Sequence, residues 1–162
     1  MVGAKVRQPV RAEARLEELG IKLPAPPTPL GNYVEVSQTG NLLFLSGMLP
    51  VVDRKPKYLG RLGKEFDADT GQDAARTAAF SALAAIKAHL GSLDKVVRMV
   101  RHSVFIATSG DFSDLPRVAD GASDLIRDVF GPDGVSARLV IGVASLPLGI
   151  PIELEVIVEV TE

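Results

Sequence analysis

Two charged side chains interrupt the most apolar stretch of this chain. Arg138 stands near the front of the run 136–149 (SARLVIGVASLPLG), and Glu153 opens the run Ile152-Glu153-Leu154-Glu155-Val156. An arginine and a carboxylate in such surroundings imply a half-buried polar cleft able to hold a small molecule. The spacing predicts two strands folded back on each other by the Leu-Pro-Leu-Gly turn. In that reading Ser145 pairs with about Pro151 and Glu153 sits opposite Val143. Arg138 then lies about five residues further along, some ~17 Å at the rise of a strand. Alternation puts Arg138, Val140, Gly142 and Ala144 on one face, and that face is expected to carry Glu153 as well. A small apolar surface bearing two charges suits a subunit interface enclosing a pocket. At ~17 Å the two residues do not serve one small ligand within a chain, so the site is expected between protomers. A plainer role also fits: Arg138 as a structural interface arginine, Glu153 as one more outward carboxylate.

The elements that must position this pair are legible in outline. Arg11 to Leu19 pairs Leu16 and Leu19 with alternating charge before Gly20, which predicts a short helix with one apolar edge. Leu23 to Leu30 (LPAPPTPL) holds four of the prolines and must run extended. Tyr33–Val36 and Asn41–Leu45 read as strands joined around Thr39-Gly40-Asn41. Val51–Tyr58 reads as a polar turn and Leu59–Gly63 as a short edge strand. Gly60 and Gly63 make no phosphate loop, because no Gly-Lys-Ser/Thr follows. Thr70 and Asp73 suggest a capping box for a helix that ends at Leu90-Gly91, with an alanine stripe facing the core and His89 in the last turn. Val96–Thr108 reads as a strand bearing His102, a satisfied or solvent-facing histidine. Phe112–Phe130 reads as a second helix with Pro116 in its first turn, and Gly131–Gly134 as the turn that follows. Strands in hairpins and crossovers with two long helices give an α+β fold, one mixed sheet with both helices on a single face.

Composition excludes several classes. The 162 residues suffice for one domain, and none of them is cysteine, so disulfides, thiolate catalysis and cysteine-based metal sites are out. Two histidines, His89 and His102, are too few and too scattered for a histidine metal site. A net charge of −2 gives no cationic face for tracking phosphates, so nucleic acid is not an expected partner. No stretch has the length of a membrane span or the apolar core of a signal peptide, and a cytoplasmic location is the expectation.

Several local motifs resemble the reactive intermediate deaminase (Rid, or YjgF-like) family, whose members were earlier labelled L-PSP endoribonucleases and translation-initiation inhibitors. They are Gly31-Asn32-Tyr33, Gly40-Asn41-Leu42-Leu43-Phe44-Leu45-Ser46-Gly47, Asp111-Phe112, Gly121-Ala122-Ser123-Asp124-Leu125, Ala137-Arg138, Leu146-Pro147 and Glu153-Leu154-Glu155. The similarity covers about residues 28–161, which leaves 1–27 as an N-terminal extension and 28–162 as a single domain.

The resemblance implies a chorismate-mutase-like fold assembled as a trimeric barrel with sites between subunits. It implies hydrolysis of enamine or imine intermediates such as 2-aminoacrylate to a 2-keto acid and ammonia, an activity of the 2-iminobutanoate/2-iminopropanoate deaminase type that needs no cofactor and no metal. Arg138 would hold the substrate carboxylate, Glu153 would position or deprotonate water, and Tyr33 would border the pocket with its hydroxyl. Gly47 and the backbone of Val140 would line the site. Three positions depart from the pattern: Met48 where glutamine is usual, Val140 where cysteine is common, and Asp120 near a position often held by asparagine. Met48 and Asp120 are accordingly expected at the substrate. Two other classes stand beside the deaminase: a non-catalytic trimer that binds small carboxylates or 2-keto acids, and an endoribonuclease.

Overall fold

The computed structural model describes residues 11–131 and 134–161. The first ten residues of the N-terminal extension and the middle of the turn at Gly131–Gly134 lie outside the described residues. The first element is the short helix α1 (Ala12–Glu18), which buries Ala12 and Leu16. Its Glu13 accepts hydrogen bonds from the Leu93 N–H at 2.9 Å and from Lys87 Nζ at 2.6 Å, pinning the helix to the body of the fold.

Beyond the proline connector, β1 (Val36–Thr39) and β2 (Leu42–Leu45) pair antiparallel around Gly40-Asn41. The hairpin is where the sequence puts it, but the first strand begins at Val36 and not at Tyr33. The stretch expected to be a polar turn forms a miniature hairpin, β3 (Val51–Val52) with β4 (Lys55–Pro56). Asp53 and Arg54 turn it with φ of 51° and 63°, the left-handed pair that a two-residue hairpin loop demands. No edge strand forms at 59–63, where Leu62 makes only isolated bridges to Phe66 and Thr108.

The long helix α2 (Ala68–Leu90) starts one turn earlier than the capping-box reading. Asp67 is the cap, its carboxylate accepting from the Thr70 N–H at 2.9 Å. A 3₁₀ turn leads into β5 (Val96–Ala107), followed by α3 (Leu115–Phe130), β6 (Ala137–Val143) and β7 (Ile152–Val160). Two register shifts in β5 reset its alternation, so Val96, Met99 and His102 are all buried although they are spaced by three.

The main sheet runs β1-β2-β7-β5-β6, with β5 and β6 parallel and the other pairs antiparallel. Both long helices pack on one face, against each other and against β5, β6 and β7. Ile152, Leu154, Val156, Val158 and Val160 are buried, the alternation read from the sequence. This is the expected α+β architecture.

One expectation fails. β6 and β7 are not a hairpin: β5 lies between them, paired parallel to β6 and antiparallel to β7. The connection 144–151 spans the width of an intervening strand, and the end of β5 fills the gap. There Thr108 donates to Val143 O at 3.0 Å and Ala107 to Pro151 O at 2.9 Å. The register argument that opposed Glu153 to Val143 therefore falls. Glu153 stands opposite Phe105, and Arg138 beside His102.

Candidate functional site

Pairing to β5 fixes which way each charge points. His102 is buried on the helix side, and Arg138, its partner in register, turns the same way. The Arg138 Nη1 donates to Asp120 Oδ1 at 2.6 Å and to Ser123 Oγ at 3.1 Å, both on α3. Glu153 belongs to the opposite set of β7 side chains, on the face that carries no helix. The two residues thus occupy opposite faces of one sheet, which corrects the expectation that they share one.

On the open side, Glu153 lies in a pocket of about 430 Å³ with Tyr33, Ser46, Gly47 and Pro147. Met48 and Leu154 exchange backbone hydrogen bonds of 2.7 and 2.9 Å, and this bridge sets Gly47 beside Glu153. A Cβ at position 47 would stand 1.8 Å from Glu153 Oε1, so only glycine leaves the carboxyl group its place. No side chain among the described residues hydrogen-bonds this carboxyl. Burial raises its pKa above the ordinary glutamate value of 4.5. Tyr33 is half exposed at the rim, its Oη accepting from the Leu30 N–H at 2.9 Å and keeping its own proton to donate.

The structure therefore brings Tyr33, Gly47 and Glu153 together and sets Arg138 and Asp120 together elsewhere. One expectation fails here: Met48 is 1% exposed and fills the core, because the bridge to Leu154 turns its side chain inward. Val140 packs its side chain against the core on the Arg138 side, apart from the pocket around Glu153.

Sequence reasoning passed over the surroundings of Arg138. His102 is buried between two hydroxyls, with Ser136 Oγ 2.7 Å from Nδ1 and Ser123 Oγ 2.9 Å from Nε2. Ser123 also accepts from Arg138, which ties the imidazole to the guanidinium through one oxygen. Burial, assisted by the nearby Arg138 charge, lowers the His102 pKa from 6.5 to about 4 and keeps the ring neutral. The histidine is a satisfied one, as its place on an apolar strand suggests; its partners come from distant parts of the chain and left no mark in local spacing. The guanidinium keeps Nε and Nη2 free of hydrogen bonds among the described residues, a two-nitrogen edge that fits a carboxylate. Glu35 was also passed over. It faces a neighbouring cavity, and burial raises its pKa as well.

Among the described residues no group of three or more histidine, aspartate or glutamate side chains is placed to hold a metal ion, and no helix is long and apolar enough to cross a membrane.

The fold as a whole has close counterparts among known proteins. A family model described as "YjgF/chorismate mutase-like, putative endoribonuclease" matches residues 13–159. The chain belongs to the YjgF/chorismate mutase-like family. Its α+β sheet with helices on one face is the fold of that family. Protein TCP17 of Trypanosoma cruzi is 43% identical over 150 residues, which cover 92% of this chain and 94% of that one. The crystal structure of Atu1372 from Agrobacterium tumefaciens, a protein described as of unknown function, superposes with a TM-score of 0.86. It is 39% identical, with 93% of this chain and 92% of that chain covered. A 2-iminobutanoate/2-iminopropanoate deaminase of Dermatophagoides farinae is 29% identical over 140 residues, 85% of this chain and 93% of the relative.

Proposed function

We propose that this YjgF-like protein hydrolyses small 2-imino or enamine carboxylates to 2-keto acids and ammonia, at a site shared between subunits of a homotrimer. The observation that carries the reading is Glu153: a carboxylate in a pocket opened by Gly47, with no cation paired to it among the described residues and its pKa raised by burial. Burial makes such a group more basic than a surface glutamate, which suits it to draw a proton from water. The water attacks the imine carbon, and the resulting carbinolamine expels ammonia as the carbonyl forms. Tyr33 donates a hydrogen bond at the rim. Arg138 of a neighbouring subunit supplies the edge that holds the substrate carboxylate. The likeness to a protein bearing an imine deaminase name supports the same chemistry. An imine is electrophilic without help, so the reading calls for no cofactor, and its partners are a small carboxylate metabolite and other copies of the chain, in the cytoplasm.

Assembly between copies is supported by the sheet itself. Phe44 and Ile141 are 39% and 40% exposed on the face without helices, with Phe105 and Ile157 between them. Arg138 and Glu153 on opposite faces of one sheet can serve one ligand only if they come from different chains. A ribonuclease is less well supported: His102, the histidine nearest any candidate site, is 4% exposed and occupied on both ring nitrogens.

The test is ammonia release from freshly generated 2-aminoacrylate, run beside equilibrium binding of small 2-keto acids. Glu153→Gln should lower kcat by roughly 10²- to 10⁴-fold while binding persists. Parent protein that binds keto acids and releases no ammonia would leave only the binding role.

A further inference from the structure

The pocket at Glu153 does not close behind Tyr33. Leu30, Tyr33, Gly47 and Leu49 also line a second, more enclosed cavity of about 160 Å³. One wall is the proline connector, through Pro24, Pro26 and Pro27; the opposite wall is the β3–β4 hairpin, through Val51 and Pro56. At the back, Ser81 of α2 has its hydroxyl engaged by Leu49 O at 2.9 Å, so it offers no strong claim on a ligand. The polar side chains at this cavity include Glu35 and, at the hairpin tip, Asp53 and Arg54. Both walls hold their shape without a ligand. Proline fixes φ in one, and the paired two-residue turn fixes the other, so filling the space costs little ordering.

We propose that this chamber receives the side chain of the imine substrate, and that the preferred substrate carries an apolar group the size of isobutyl or benzyl. The inference rests on the deaminase reading above and names its substrate class. An apolar cavity of about 150 Å³ admits benzene, so a chamber of about 160 Å³ accommodates either group. A methyl group would leave most of the chamber empty. A second carboxylate would meet Glu35, whose carboxyl sits in the wall with no cation hydrogen-bonded to it among the described residues, while the cation at the hairpin tip, Arg54, stands next to the carboxylate-bearing Asp53. Each methylene buried is worth roughly a fourfold gain, so the leucine-derived imine should exceed the alanine-derived one by about 10- to 100-fold in kcat/KM.

Imines generated in situ from alanine, leucine, phenylalanine and glutamate by an amino-acid oxidase provide the test. The expected order puts leucine and phenylalanine first, alanine well behind and glutamate last. Val51→Trp, which fills the chamber, should draw the leucine-to-alanine ratio toward one, and Ala25→Phe from the opposite wall should do the same if Val51→Trp fails to fold. Equal rates for alanine and leucine, or a ratio unmoved in a folded filled variant, would overturn the proposal while leaving the deaminase reading intact. If no imine is hydrolysed, the deaminase reading itself fails. Calorimetric binding of 4-methyl-2-oxopentanoate against pyruvate then judges the chamber separately, and equal affinities would sink it.

Discussion

Gly47 and Glu153 constrain one another. Any side chain at position 47 must displace the carboxyl, since a Cβ there would overlap Oε1 at 1.8 Å. Gly47→Ala should therefore leave the far-UV spectrum unchanged and cut imine hydrolysis by at least ~10²-fold, a loss read directly by ammonia release. The desolvated carboxyl also shapes the pH profile. Activity requires the ionised form, and a pKa raised above 4.5 places the acid limb of kcat/KM above the ordinary glutamate range. That limb should vanish in Glu153→Gln. His102 makes a different prediction. Its pKa is 6.5 unfolded and about 4 folded, so the unfolded chain takes up a proton first as pH falls. Stability that is full above pH 6.5 is thus lost between about 6.5 and 4, by up to about 3 kcal/mol. His102→Asn should be less stable at neutral pH but lose less on acidification, which urea unfolding at pH 7 and pH 4.5 would reveal. Arg138 and Glu153 were visible in the sequence because charges within apolar runs stand out. Ser123, Ser136 and Glu35 were not, since their environments are made by contacts across the fold and their local spacing is ordinary.

At the scale of elements, alternation located β7 and helical spacing located both long helices, yet the turn reading misassigned the neighbour of β6. A strand carries the same period of two whichever strand it pairs with, and a proline-glycine turn looks alike whether it closes a hairpin or crosses over an intervening strand. Only β5, inserted between them, decides the pairing. The bulges in β5 were equally silent, because three-residue spacing of buried positions imitates no regular element. The alanine stripe of α2 was legible as a face turned to the core, but its close seam with α3 was not. Gly121 lies so near α2 that a Cβ would come 2.0 Å from the backbone oxygen of Gln72. An alanine in a helix interior ordinarily stabilises by about 1 kcal/mol over glycine. Here the sign should reverse: Gly121→Ala should destabilise by about 1–3 kcal/mol as the helices are forced apart, measurable by denaturant unfolding.

In the assembly we propose, the single chain contributes halves of two sites. If the Glu153 pocket of one subunit is completed by the Arg138 of another, Arg138→Ala and Glu153→Gln proteins should each be inactive alone. Mixed, with subunit exchange allowed, they should regain a measurable fraction of activity. Ile141→Lys, on the open face at 40% exposure, should lower the assembled mass in analytical ultracentrifugation and abolish turnover together. Failure to complement in exchanged mixtures would overturn the joint use of Arg138 and Glu153 at one ligand.

The sheet order carries one more consequence, for biogenesis. β7, the last strand in sequence, sits between β2 and β5 in space. As the chain emerges from a ribosome, helices and outer strands can form early, but the two halves of the sheet cannot join until the final strand slides between them. Shortening the protein from that end removes the keystone of the sheet and leaves two strand edges exposed to other chains. Release of the C-terminal residues, and not growth of the N-terminal helices, should time the appearance of protease resistance during synthesis.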